Sequence, residues 1–166
     1  MSNRPGAVRD RDQGPWSRTA PLVTLDEMMI DGGLELLTED DCRQLLRGGE
    51  VGRIGITLAA LPAIFPVNYR LIDDAIVFRT GPGSKMAAAA AGAVVAFEVD
   101  DYGLEDHSGW SVLVVGRAEV VEDPSITAAA ERAGLQPFAD GERTVFVRIE
   151  PTFVSGRRIV HSFAGV

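Results

Sequence analysis

The chain contains little cysteine, little lysine and no long apolar run. Among 166 residues, Cys42 is the only cysteine, which excludes intramolecular disulfides and zinc sites built from several thiolates. No stretch approaches the roughly 20 uncharged apolar residues that cross a bilayer, and the first residues lack the apolar core of a secretory signal peptide. We therefore expect a cytoplasmic, reducing compartment and no membrane partner.

The balance of charge disfavours acidic partners. The chain has 16 Lys+Arg against 24 Asp+Glu, a formal net charge of -8 and a pI near 4.7, so we do not expect it to bind nucleic acid. Apolar residues make up 46% and charged residues 24% of the chain, as in soluble globular proteins of one domain. Lys85 is the only lysine.

The N-terminal part differs from the rest. Residues 1–33 contain three prolines and mixed charges without a sustained period, which predicts a flexible tail, and residues 34–166 are predicted to form the folded domain. The segment LLTEDDCRQLLRGG predicts the first helix, with Thr38 as its N-cap and Gly48-Gly49 at its end.

Short β-rich segments fill most of the domain. We predict strands over Val51–Leu58 and over Ala63–Ile72, the second interrupted at Pro66, and a turn at Asp73-Asp74 that leads into AIVFRT. Further strands are expected in AVVAFEVD and WSVLVVGRAEVVED, with two separate ones in TVFVRIEP and TFVSGRRIVHS. Two helices, in the alanine run after Lys85 and in PSITAAAERAG, do not give strict β-α-β alternation. The sequence therefore predicts a mainly β (α+β) fold, an antiparallel split β-barrel with peripheral helices.

The segment VFRTGPGSKMAAA is the first candidate site. A strand ends at Thr80, a Gly-Pro-Gly turn follows, and a helix begins at Ser84-Lys85. The first turn of a helix carries unpaired N–H groups that favour an anion, and Arg79, Thr80, Ser84 and Lys85 supply cations and hydroxyls around one phosphate. The alternative is an ordinary turn with a capping serine and a solvated lysine.

Two other segments contain residues suited to a planar ligand. In IFPVNYRL, Asn68 offers hydrogen bonds to the edge of a heterocycle, and Tyr69 or Arg70 offers packing. The alternative is that strand alternation simply places Asn68 and Arg70 in solvent. Trp110, at a junction between a loop and a strand, is suited to contact a ring, with the barrel core or a dimer contact as the alternative.

The other residues that could bind a metal ion or act as nucleophiles give weaker evidence of a site. The acidic residues between Glu98 and His107 lack recognised ligand spacing, so we predict a solvated acidic loop and no metal site. Cys42 lies on the apolar side of the first predicted helix and is expected to be buried rather than nucleophilic. No Ser/His/Asp arrangement can be assembled from the spacing of these residues.

The order of these segments resembles the pyridoxamine 5′-phosphate oxidase-like family of flavin-binding split barrels. The resemblance is carried by LLTEDDCRQLLRGGEVGRI, PAIFPVNYRL, IVFRTGPGSK with its alanine helix, VVAFEVDD and GWSVLVVGRAEVVED, over roughly residues 34–125. It implies a homodimer with two FMN sites at the subunit interface and a small-molecule substrate. By this match, Arg79, Thr80, Ser84 and Lys85 are the phosphate contacts.

The resemblance also assigns the rest of the cofactor site. Pro66, Val67, Asn68 and Tyr69 would lie along the isoalloxazine or ribityl part of FMN, and Trp110, from the same or the other subunit, would pack near the ring. The bound flavin would carry the redox chemistry in such a protein, so the resemblance implies no catalytic side chain.

The match leaves alternatives open. The R-x-H substrate motif of the true oxidases has only a differently spaced analogue in Arg158-Ile-Val-His161, so oxidation of vitamin B6 is not predicted. Related family members resemble flavin or deazaflavin reductases of nitro compounds and quinones. A deazaflavin coenzyme is the alternative cofactor, with Arg53 and Arg70 as additional anion contacts. A non-catalytic flavin or haem module is the alternative of another class, and His107 and His161 are its only histidines.

Overall fold

A computed structural model describes residues 29–30, 34–82, 85–105, 107–138 and 144–159. Most of the expected tail, residues 1–33, lies outside this range, but Met29–Ile30 form a short strand, β1. Strand β1 pairs antiparallel with β2, Leu34–Leu36, and β2 pairs with the end of the last strand. This two-strand extension lies at the edge of the main sheet.

The first helix, α1, spans Glu39–Gly48 and confirms the predicted one. Its N-terminus is a capping box: the Asp41 amide donates to the Thr38 hydroxyl, and the Thr38 amide donates to the Asp41 carboxylate at 3.2 Å. The Thr38 hydroxyl also donates to this carboxylate, at 2.6 Å. The bonds that the Thr38 hydroxyl and the Thr38 amide donate to the carboxylate lower the pKa of Asp41, because they favour its ionised form. The Gly49 amide closes the other end by donating to the Leu45 carbonyl.

The remaining elements follow in chain order. They are β3 Val51–Leu58, β4 Leu61–Ile72, β5 Ala75–Thr80, α2 Lys85–Ala90, β6 Val94–Tyr102, β7 Gly109–Val120, α3 Pro124–Arg132 and β8 Val145–Ile159. The spatial order of the strands is β1-β2-β8-β5-β4-β3-β6-β7, and a further pairing of β7 with β8 closes β3 to β8 into a six-stranded antiparallel barrel. The predicted fold class, a mainly β barrel with peripheral helices, is confirmed.

Strand alternation directs one row of apolar side chains into the barrel. Five residues from neighbouring strands pair across the ladders and belong to the main core: Phe65, Ile54, Phe97, Val114 and Val154. Tyr69 packs edge-on against Phe97, with ring centroids 4.9 Å apart, and its hydroxyl donates to the Leu46 carbonyl of α1 at 2.8 Å. The buried tyrosine therefore joins helix α1 to the barrel.

Helix α3 covers the outer face of the barrel at β5 and β8. A second core cluster there contains Val77, Ala130, Leu135 and Phe146. Because β5 is covered on both faces, Ala75, Ile76, Val77 and Phe78 are all buried, which explains why AIVF is a continuous apolar run rather than an alternating one. No helix in the described part of the chain is long and apolar enough to cross a membrane.

Two sequence predictions about prolines were wrong. Strand β4 continues through Pro66, because residues 61–68 pair only with β3 and a proline without an N–H is tolerated where a strand has no second neighbour. The two predicted final strands are one strand, β8. It passes Pro151 at a bulge, where the register shifts between Val115 and Gly116 and Thr152 is the extra residue.

Candidate functional site

The segment around Arg79 has the predicted strand–turn–helix order. Strand β5 ends at Thr80, Gly81 and Pro82 follow, and α2 begins at Lys85. Ser84, the fourth predicted phosphate contact, lies outside the described residues. The only lysine of the chain therefore starts the helix that follows the strand end, while Arg79 lies just before that end.

Arg79 and Thr80 point to opposite faces of β5. Thr80 has no exposed surface and is the one buried polar residue in the described part of the chain. Arg79 is half-buried on the outer face, and its guanidinium carbon lies 4.9 Å from the centroid of the Phe146 ring. This distance is within the range of a cation–π interaction, which holds a cation over the face of the ring. A cationic side chain is thus fixed at the strand end.

Asn68 lies next to Arg79 at an opening in the barrel wall. The ladder between β4 and β5 ends at the pair Tyr69–Phe78, and Asn68 and Arg79 are the next residues of the two strands. Both are half-buried and follow core-facing residues, so both lie on the outer face. Beyond this point β4 is paired with β3 alone, and Pro66 is exposed on the same face. The structure therefore brings Arg79, Asn68 and Pro66 to one open edge.

The side chains of Val67 and Tyr69 lie in the barrel core instead. Val67 is 2% exposed and Tyr69 is fully buried. Burial raises the pKa of the Tyr69 phenol, because it disfavours the phenolate. A contact of these two residues with a ligand is consequently limited to their backbone groups.

Trp110 lies in a different place on the same chain. It belongs to β7, which pairs with β6 and β8 and not with β4 or β5. The half-buried indole packs against the core and lines a groove of about 210 Å³ together with Tyr102, Gly109, Asp101, Arg157 and Ile159. One chain therefore does not bring Trp110 together with Arg79.

Sequence reasoning missed several residues at these two places. The ring under the Arg79 guanidinium belongs to Phe146 of β8, which is 67 positions after Arg79 in the chain. Gly109 lines the groove, and a Cβ at this position would lie 2.9 Å from the Asp101 carbonyl oxygen. Phe146 reaches Arg79 through the pairing of β5 with β8, for which no local sequence signal exists, whereas Gly109 approaches Asp101 through the pairing of β6 with β7.

The two arginines proposed for a deazaflavin tail are engaged with protein groups. Arg53 contacts the carboxylates of Asp100 at 2.5 Å and Glu98 at 3.3 Å. Arg70 donates to the carbonyls of Ala133 and Tyr69 and to the Glu50 carboxylate. Neither guanidinium is uncommitted in this structure.

The acidic segment gives no metal centre. Within the described residues, no group of three or more His, Cys, Asp or Glu side chains is arranged to hold a metal ion. His107 instead contacts the Tyr102 hydroxyl through its Nδ1 at 3.0 Å, and His161 lies outside the described residues.

Two other features do not suggest a reactive site. Burial raises the pKa of the Cys42 thiol to about 11, so this cysteine is protonated near neutral pH, and its burial confirms the prediction.

A surface depression of about 300 Å³ lies by the β4–β5 turn and the end of α1. There Asp74 contacts both Arg43 and Arg47, a charged notch away from Asn68 and Arg79.

The fold and the strand–turn–helix segment define a protein of the split-barrel class. The family model of pyridoxamine 5′-phosphate oxidase matches residues 38–158, nearly the whole described barrel. The chain belongs to this family, as its resemblance predicts.

Individual relatives extend over most of the chain. The uncharacterized protein Rv0080 of Mycobacterium tuberculosis is 40% identical over 129 residues, which cover 75% of this chain and 84% of that protein. The FAD binding protein from Mycobacterium smegmatis is 36% identical, with a TM-score of 0.65, over 76% of this chain and 98% of that one. A conserved protein of unknown function from Corynebacterium diphtheriae is 32% identical, with a TM-score of 0.64, over 77% of this chain and 99% of that one.

Proposed function

We propose that this protein is a flavin-dependent oxidoreductase that binds FMN at a homodimer interface and reduces a small organic electrophile. The observation that carries the proposal is the open edge of β4, which contains Pro66 and Asn68. Asn68 lies next to Arg79 of β5, and β5 ends shortly before the helix that begins with Lys85. A cation at a strand end, next to an unpaired strand edge, suits a ligand that has both a phosphate and a heterocycle.

The residues present fit such a ligand. Arg79 is held over Phe146, and in the proposal it contacts the phosphate together with Ser84 and Lys85. The predicted side-chain contact of Thr80 is dropped from the proposal, because Thr80 is fully buried on the opposite face of β5. Asn68 and the backbone of Pro66, Val67 and Tyr69 lie along the ring or ribityl part. A flavin supplies hydride and electron chemistry when bound, so the side chains are needed for binding and orientation rather than for acid–base catalysis.

A flavin is supported by one of the relatives. The Mycobacterium smegmatis protein, 36% identical over almost its full length, is an FAD binding protein. FAD is therefore a second candidate for the cofactor of this chain, and it shares the phosphate and the isoalloxazine ring of FMN. The deazaflavin alternative is less favoured, because Arg53 and Arg70 are already engaged.

The homodimer is supported by an apolar row on the outer face of the barrel. The row consists of one residue from each of five neighbouring strands, paired across the ladders: Ile64, Gly55, Ala96, Val115 and Phe153. Ile64 is 73% and Phe153 is 53% exposed, which is unusual for large apolar residues that are aligned rather than scattered. Continuous exposed apolar surface of this kind marks an interaction site. In the proposal a second copy covers the row and brings its Trp110 to the flavin.

Electron transfer to an electrophile tests the proposed activity. The FMN-loaded full chain is reduced with dithionite under anaerobic conditions and mixed with a quinone or a nitroaromatic compound. We expect the oxidised flavin spectrum to return, with two electrons and two protons appearing in the hydroquinone when a quinone is used. The control is free reduced FMN at the same concentration. Reoxidation no faster than that of free FMN would contradict the enzyme and favour a flavin-binding module without turnover.

A further inference from the structure

We infer that Arg70 is a positioning residue for Arg79, and that it acts through the C-terminal end of helix α3 and Phe146. The inference rests on the proposed function, in which Arg79 contacts the phosphate of the flavin. Arg70 itself does not contact the ligand in this account. Its role is to hold the surface on which the Arg79 guanidinium lies.

The first step is the contact between Arg79 and Phe146. The guanidinium lies over the face of the ring, and the two residues are directly paired on β5 and β8. A ring below the guanidinium restricts the rotamers of a long, flexible side chain. The position of the Phe146 ring therefore determines where the cation is held.

The second step is the support of Phe146 by α3. Phe146 is 6% exposed and shares a cluster with Val77, Ala130 and Leu135. Leu135 is 1% exposed and follows the end of the helix. Its amide donates to the Ala130 carbonyl at 3.0 Å, after a turn in which Gly134 has a φ of +72°. The conformation of this turn thus determines whether Leu135 reaches the Phe146 ring.

The third step is the attachment of that turn to the barrel by Arg70. Its Nε donates to the Ala133 carbonyl at 2.9 Å, while one terminal nitrogen donates to the Tyr69 carbonyl at 2.8 Å and the other to Glu50 at 3.2 Å. The acceptor on Ala133 is the C-cap carbonyl of α3, where a cation is favoured by the helix dipole. Arg70 therefore ties the end of α3 to strand β4.

A lysine does not replace this arrangement. The three acceptors lie in different directions around a planar guanidinium, whereas an ammonium group on a flexible stem is a point charge. Arg70 also immediately follows Tyr69, where the β4–β5 ladder ends and the open edge begins. Removal of Arg70 would loosen the α3 turn and the Phe146 ring together.

Binding of FMN compared with riboflavin tests the inference, because riboflavin lacks the phosphate. The Kd values of both ligands are measured by fluorescence titration for the full chain, Arg70→Gln, Arg70→Lys and Phe146→Leu. We expect Arg70→Gln and Phe146→Leu to weaken FMN binding about tenfold, because the Arg79 guanidinium would no longer be held at the phosphate. The affinity for riboflavin is expected to stay unchanged. Arg70→Lys is expected to resemble Arg70→Gln. Arg47→Gln, which changes an exposed arginine on α1 outside this arrangement, is expected to bind both ligands as the unmodified chain does.

The outcomes separate the inference from the proposed function. An equal loss of FMN and riboflavin affinity in Arg70→Gln would show a merely structural role and overturn the inference, as would unchanged FMN affinity in that folded variant. If the unmodified chain binds riboflavin as tightly as FMN, the phosphate assignment and the inference both fail. If Arg70→Gln does not fold, Phe146→Leu gives the same comparison, since it keeps the apolar contact and removes the ring.

Discussion

Glu98 is a carboxylate that the fold holds in an unfavourable environment. Partial burial raises its pKa, and the neighbouring Asp100 adds to the effect, against the lowering by Arg53. The residues paired with Glu98 are Arg53 on β3 and the uncharged Leu113 on β7. One arginine thus faces two carboxylates, and Asp100 has the closer contact.

This environment predicts a stabilising substitution. Because the pKa of Glu98 is higher in the folded than in the unfolded state, its contribution to stability is present below the unfolded value and is lost as pH rises through the folded value. We expect Glu98→Gln to raise the Tm at pH 7 by about 1–2 °C, since the Arg53–Asp100 pair remains. The advantage should shrink as the pH falls through the raised folded pKa of Glu98 and be lost below about 4.3, the ordinary pKa of glutamate. Thermal unfolding at pH 7 and pH 3.5 measures it, with the exposed Glu119→Gln as control. A lower Tm at pH 7 would contradict this account.

At the level of single residues, the sequence identified which residue types suit a ligand better than it identified which side chains point into the core. The residue types around Arg79 suited an anion, and Asn68 does lie beside Arg79. Val67 and Tyr69 could not be recognised as core residues, because a segment with Pro66 gave no clear alternation. The side chain of Tyr69 is buried because Leu46 of α1 supplies the acceptor for its hydroxyl, a contact across 23 positions.

At the level of elements, local signals predicted the helices and most strands. The capping box at Thr38 and the Gly48-Gly49 end are local chemistry, and both are found. Pro66 and Pro151 were misread for the same reason: whether a proline interrupts a strand depends on its neighbours in the sheet. Pro66 lies where β4 has one neighbour, and Pro151 lies at a bulge. Neither condition can be derived from adjacent residues.

The strand–turn–helix segment predicts a phosphate-specific effect of Lys85. We expect Lys85→Ala to weaken FMN binding by about 1–3 kcal/mol, the usual contribution of a charged hydrogen bond, and to leave riboflavin binding unchanged. Calorimetric titration of the full chain with both ligands provides the measurement, with Arg47→Ala as the matched loss of an exposed cation. Unchanged FMN affinity would show that residues 79–85 do not bind the phosphate.

At the scale of the whole molecule, the apolar row predicts self-association. We expect light scattering to give twice the 17.8 kDa chain mass. Ile64→Asp should raise the dimer dissociation constant by about 100-fold or more, because a carboxylate would be buried in an apolar interface. Leu61→Asp is the control, since Leu61 is on the same strand, is 69% exposed and lies outside the row. A monomeric full chain, or equal effects of the two substitutions, would contradict the interface.

The barrel as a whole was predictable because its strands are rich in β-branched and other apolar residues, and most of them are separated by turn residues. The closure of β7 onto β8 and the covering of β5 by α3 join segments that are far apart in the chain, and only the structure shows them. The cytoplasmic location stays a prediction from the sequence.

An absorbance titration of the purified full chain with FMN tests the central claim most directly. The account predicts saturable binding of one FMN per subunit, with a perturbed flavin spectrum and tighter binding than riboflavin. FAD is titrated in parallel, and tighter binding of FAD would change the cofactor while retaining a flavin protein. Binding of neither flavin would contradict the proposed function and leave only the split-barrel fold.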